Sequence, residues 1–127
     1  MKKFLLVLLL ALLVLLFLSC TKQIINQDMT FLDNHTFDEV WEASIKAVND
    51  IDFTIDSVDK AAGFISAESG MRAFESSPPR LSIMIKEMDG KIRVDCKVLQ
   101  KEHIDLAGHG RKTVRNFMTA LNMNLNR

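Results

Sequence analysis

Residues 81–98 restrict what this chain can fold into more than any other stretch. Leu81, Ile83 and Ile85 alternate with Ser82, Met84 and Lys86, and after Asp89-Gly90 the residues Ile92, Val94, Cys96 and Val98 alternate with Arg93, Asp95 and Lys97. A period of two marks half-buried strands, and Asp-Gly supplies the two positive-φ residues of a tight type I′ hairpin turn. A two-residue turn sets Ile85 opposite Val94 and Ile83 opposite Cys96, so the apolar rows coincide. It also sets Lys86 opposite Arg93, a like-charged pair tolerable only toward solvent. The chain therefore contains an antiparallel sheet with one apolar face, and something else must cover that face.

Two helices can provide the cover. Thr36 and Glu39 have capping-box spacing, with Asp38 and Glu39 where the helix dipole favours acids; Val40, Trp41, Ser44, Ile45 and Val48 follow at helical spacing to residue 49 or 50. After the break at Gly108-His109-Gly110, the residues Val114, Phe117, Met118, Leu121 and Leu125 mark a closing amphipathic helix, and Met123 reads with Met118 as core or edge packing. Between the first helix and the hairpin, Asp52 to Val58 alternates, residues 59–63 read as a turn, and Phe64 to Glu68 returns. That loop length pairs Ile55 with Ala67 and Ser57 with Ile65, leaving Val58 and Phe64 on the solvated face. Residues 69–80, with Pro78-Pro79, form a loop. Met29 to Asn34 is a short strand candidate, and Thr21 to Asp28 reads as a polar tether. The expected class is α+β, in the order β-α-β-β-β-β-α, with two helices packed on one face of an antiparallel sheet.

The N-terminus has a separate character. Lys2 and Lys3 precede fifteen consecutive apolar residues, Phe4 to Leu18, and the run ends in Ser19-Cys20. A positive start followed by an apolar stretch has the layout of a secretory signal. At about 1.5 Å per residue this run spans about 22 Å, short of the roughly 30 Å hydrocarbon core, so an uncleaved anchor would need flanking residues drawn in. A cysteine directly after such a run resembles the lipobox of bacterial lipoproteins. The resemblance implies a signal peptide over residues 1–19, Cys20 acylated with lipid such as palmitate, a tether over 20–28 and a single domain over 29–127. Thr21, where aspartate would retain a lipoprotein in the inner membrane, implies the outer membrane facing the periplasm. An uncleaved anchor and plain secretory cleavage are the remaining alternatives. Acylation of Cys20 would leave Cys96 without an intramolecular partner, and its place on an apolar strand face suggests a buried, inert thiol.

Residues 36–43 (Thr-Phe-Asp-Glu-Val-Trp-Glu-Ala), then Phe53-Thr54-Ile55, then residues 59–66 (Asp-Lys-Ala-Ala-Gly-Phe-Ile-Ser) resemble a pattern of small bacterial lipoproteins that includes the BamC-like domains of outer-membrane assembly. The resemblance implies a helix-grip type of fold, with Trp41 filling the core and Gly63 permitting the turn. It carries no catalytic residue.

Little else in the chain points to chemistry. His103, Asp105 and His109 are metal-ligand residue types, but H-x-D-x-x-x-H matches no ligand geometry that can be argued, and they read as solvated loop residues. His35 reads as local capping or surface. No nucleophile elbow, phosphate-binding glycine loop or HExxH is present. The net charge is zero, with an acidic stretch over 28–59 and an excess of bases from Lys60 onward. Lys86, Arg93 and Lys97 share one strand face, and Arg111, Lys112 and Arg115 open the last helix. Without tyrosine or interleaved aromatics these suit a solvated face, anionic headgroups or an acidic partner better than nucleic acid. Met71 and Phe74 in the long loop are candidate patch residues. The sequence thus suggests a lipid-anchored envelope protein, non-enzymatic and without cofactor or metal. It would touch the membrane through Cys20 and bind an envelope protein partner or serve an assembly; the alternative is a lipid or small-molecule carrier.

Overall fold

A computed structural model describes residues 1–17, 23–70, 78–101 and 108–127. The elements run α1 (Lys2–Phe17), β1 (Gln23–Leu32), α2 (Phe37–Asp50), β2 (Phe53–Asp59), β3 (Phe64–Ser69), β4 (Arg80–Met88), β5 (Lys91–Lys101) and α3 (His109–Leu125). The five strands form one antiparallel sheet in the order β1-β5-β4-β3-β2. This is the α+β architecture the hydrophobic pattern implies, preceded by α1, whose residues are exposed as far as Val14. No helix among the described residues is long and apolar enough to cross a membrane.

The hairpin of β4 and β5 forms as its alternation requires. Asp89 and Gly90 take φ values of 54° and 75°, and Ile85 faces Val94, Ile83 faces Cys96 and Lys86 faces Arg93. In β2 and β3, Ile55 meets Ala67 as expected, but Ser57 meets Ser66 rather than Ile65 because Asp56 is an extra residue that shifts the register. Such a bulge turns the strand beyond it to the opposite face. Val58 accordingly lies opposite Ile65, on the helix-covered side, yet is 51% exposed. Phe64 keeps to the outer face opposite Met84, half-buried.

Both helices pack on the same face: α3 over β1 and β5, α2 over β2 and β4, and each against the other. The capping box at α2 is complete. Thr36 Oγ1 accepts from the Glu39 amide at 3.2 Å and Glu39 Oε2 accepts from the Thr36 amide at 2.8 Å. Val40, Trp41, Ala47 and Val48 of α2 meet Val114, Phe117 and Leu121 of α3 and the inner rows of β3, β4 and β5 in one core. Trp41 is buried and stacks on Phe37 with centroids 6.1 Å apart. Met118 is half-buried, whereas Met123 is 55% exposed, so only the first of these methionines packs against the core. The β2–β3 turn is bound to β4 by a hydrogen bond from the Ile85 amide to the Gly63 carbonyl at 2.7 Å.

The largest departure from the sequence reading is β1. It begins at Gln23, so residues 23–28 join the sheet instead of forming a polar tether.

Candidate functional site

β1 is out of phase with the sheet that it extends. Its residues Asn26, Asp28, Thr30 and Leu32 lie opposite Val98, Cys96, Val94 and Ile92. Residues directly opposite in an antiparallel pair share a face, and those four β5 residues are buried beneath the helices. The strand therefore turns polar side chains toward the helix-covered face, Asn26 and Thr30 half-buried and Asp28 exposed at its margin. Its apolar residues Ile25, Met29 and Phe31 point outward, 57%, 44% and 49% exposed.

An edge strand that offers asparagine, aspartate and threonine cannot close an apolar core against the helix above it. A seam of about 210 Å³ remains between β1 and α3. Leu32, Met118, Leu121 and Leu125 form its apolar wall, and Asp28, Thr30 and Asn122 bring polar atoms to it. One Asp28 oxygen, Oδ1, accepts from the Met29 amide at 2.8 Å, which fixes the carboxylate's position. Asp28 lies opposite Cys96. Burial, and secondarily the charge of Asp28, push the Cys96 thiol far above its ordinary range. Cys96 is free, buried and fully protonated at neutral pH, as its strand position suggests.

Toward the start of α3 the seam continues into a shallower space of about 420 Å³ bordered by Asn26, Asp28, Arg111, Val114 and Arg115. Here the helix comes down onto β1 through Gly110, where an added Cβ would lie 2.2 Å from Asn26 Nδ2. The amide nitrogens of Asn26 and Gln100 are buried and lack hydrogen-bond partners among the described residues, although Gln100 is only 5% exposed. An unsatisfied buried donor costs about 1–3 kcal/mol. This end of the interface thus presents polar atoms between β1 and α3.

A larger concavity of about 820 Å³ lies around residues 60–63 and 85–88. It is a broad, more open depression at the β2–β3 turn, where apolar residues such as Phe37, Ile85 and Met88 are interspersed with charged ones such as Lys60, Lys86 and Glu87, and it is the weaker candidate for holding a ligand.

Of the residues singled out in the sequence, Cys20, Met71, Phe74, His103 and Asp105 lie outside the described residues. His109 is the exposed first residue of α3, and His35 sits 3.7 Å from Glu39 beside the α2 cap. Lys86, Arg93 and Lys97 do share the outer sheet face, with Arg93 bound to Asp95 at 2.9 Å. No group of three or more potential metal ligands occurs among the described residues. The site residues of β1 were missed because Asn26, Asp28 and Thr30 carry no hydrophobic signal. The available clue was the row Ile25, Met29, Phe31, which has strand period.

No protein-family model matches the chain, and no curated protein matches it closely in sequence. Solved structures do match in fold. The crystal structure of Ara h 8.0201 aligns with a TM-score of 0.56 at 12% identity, over 84% of this chain and 100% of that one. An uncharacterised protein from Bacillus thuringiensis aligns with a TM-score of 0.55 at 8% identity, over 80% of this chain and 96% of that one. These are helix-grip structures, and nothing among them points to BamC or to a lipoprotein family, so the resemblance to BamC-like domains is corrected. The motif behind it, Val-Trp in a capped helix and an Asp-Lys-x-x-Gly turn, reports core filling and turn geometry, which unrelated α+β chains also need. What remains of that expectation is the architecture: the chain has the helix-grip fold.

Proposed function

We propose that this chain is a lipid-anchored, non-enzymatic domain of the bacterial cell envelope that holds a small ligand between β1 and α3. The observation that carries the binding part is the inverted face of β1, which leaves the seam of about 210 Å³ with one apolar wall and one polar edge. Ligand sites are typically apolar clefts with a few placed polar groups. The size suits a small apolar body or the end of an acyl chain. Asp28 is an acceptor, so it favours a hydroxyl or amine on the ligand and disfavours a carboxylate. The helix-grip fold supports carriage of a ligand over a role as an assembly module.

The anchoring part rests on Lys2-Lys3, the apolar run and Ser19-Cys20. Two or more acyl chains, at about 0.8 kcal/mol per buried methylene, hold a protein stably on a bilayer. Thr21 after the cysteine favours the outer membrane, facing the periplasm. Two measurements test the two parts separately. Cells fed a radioactive fatty acid should label the wild-type chain and not Cys20→Ala, and equal labelling would exclude acylation there. Calorimetric titration of the full chain in detergent with octanol should show saturable binding that octanoate does not. Binding of neither, or of both alike, would remove the assignment of Asp28.

A further inference from the structure

The outer face of the sheet is divided. On the β1 side Ile25, Met29 and Phe31 form an exposed apolar row on an edge strand. Beside them, across β5 and β4, stand Lys97, Arg93 and Lys86. Arg93 is neutralised by Asp95, and Lys91 at the strand end pairs with Asp33 at 3.3 Å, while Lys86 and Lys97 take part in neither pair. On the β2 side, Arg80 is held by both Asp56 and Glu68, which leaves that edge acidic. The face thus runs from apolar and basic at β1 to acidic at β2.

We propose that this β1–β5 face is a docking surface for an anionic bilayer, with the β2 edge tilted away from it. The proposal deepens the anchoring just described and rests on it. Only Thr21 and Lys22 separate Cys20 from Gln23, the first residue of β1. Three residue steps reach at most about 11 Å, so an acylated Cys20 keeps the start of β1 at the headgroup layer. The apolar row then meets the acyl boundary, and Lys86 and Lys97 meet the phosphates. Attraction of this kind acts within about a Debye length of the surface. An exposed apolar row on an edge strand otherwise invites aggregation. A membrane covers the row without using the strand's free backbone groups.

Full-length chain carrying Phe31→Trp, or Met123→Trp on α3, is reconstituted in vesicles of phosphatidylcholine, or of phosphatidylcholine and phosphatidylglycerol in equal parts, containing brominated lipid. Trp41, common to both variants and buried, supplies the same background. On the anionic vesicles quenching at residue 31 should be more than twice that at residue 123, and the difference should shrink on neutral vesicles or with Lys86→Ser and Lys97→Ser combined. Equal quenching at the two positions would overturn the docking and leave the row to a protein partner. The intact mass of the same sample reports acylation of Cys20 independently, so loss of the anchor and loss of the docking are read apart.

Discussion

Gly63 shows how one residue determines local structure here. Its φ of +71° is open to glycine, and an added Cβ would lie 2.0 Å from the Ile85 carbonyl oxygen. Gly63→Ala should therefore cost roughly 2–3 kcal/mol, from strain together with the loosened turn, read by urea unfolding. Cys96 makes a different prediction. Its folded-state pKa is raised, so its contribution is complete below the unfolded thiol's pKa and declines once the unfolded chain ionises and the folded one does not. Between about pH 8 and pH 10 the wild type should lose about 2 kcal/mol more stability than Cys96→Ala. Glu39 has the opposite sign. The hydrogen bond from the Thr36 amide lowers its pKa, so its contribution is present above the ordinary carboxylate range and is lost as pH falls through the lowered value. Thr36→Ala should cost about 1 kcal/mol, and because the residue-36 amide that holds the carboxylate remains, an NMR titration should show Glu39 still lowered, moved only part of the way back toward an ordinary glutamate.

At the scale of elements, the sequence was most informative where local and tertiary demands agree. The β4–β5 hairpin could be read to the level of individual cross-strand pairs because its apolar alternation and its Asp-Gly turn specify the same register. The α2 cap was equally legible, since Thr36 and Glu39 satisfy each other within one turn. The bulge at Asp56 was hidden. An extra residue leaves no mark on an apolar pattern whose later half is exposed. β1 was hidden more deeply: Thr21 to Asp28 reads as a polar tether, whereas pairing with β5 makes it strand from Gln23 and inverts it, with Ile25, Met29 and Phe31 outside and Asn26 and Thr30 toward the helices. The same inversion makes Thr30 a test position. Thr30→Leu would put apolar volume into the seam, and should raise stability by about 1 kcal/mol while weakening octanol binding. Unchanged binding together with higher stability would mean that the ligand sits elsewhere.

For the whole molecule, strand order was the part beyond local reading. β1 pairs with β5, Gln23 with Lys101, across nearly the full domain, and no short-range pattern encodes a partner so distant. The candidate site arises only from that pairing, because Asp28 and Thr30 come beneath Met118 and Leu125 once α3 has crossed back over β1. The most direct test follows the methionine methyls of the full chain by NMR while octanol is added. Met118, in the wall of the seam, should shift with saturation, and Met123, exposed on the same helix, should stay in place. Equal shifts at both, or none at Met118, would contradict binding between β1 and α3.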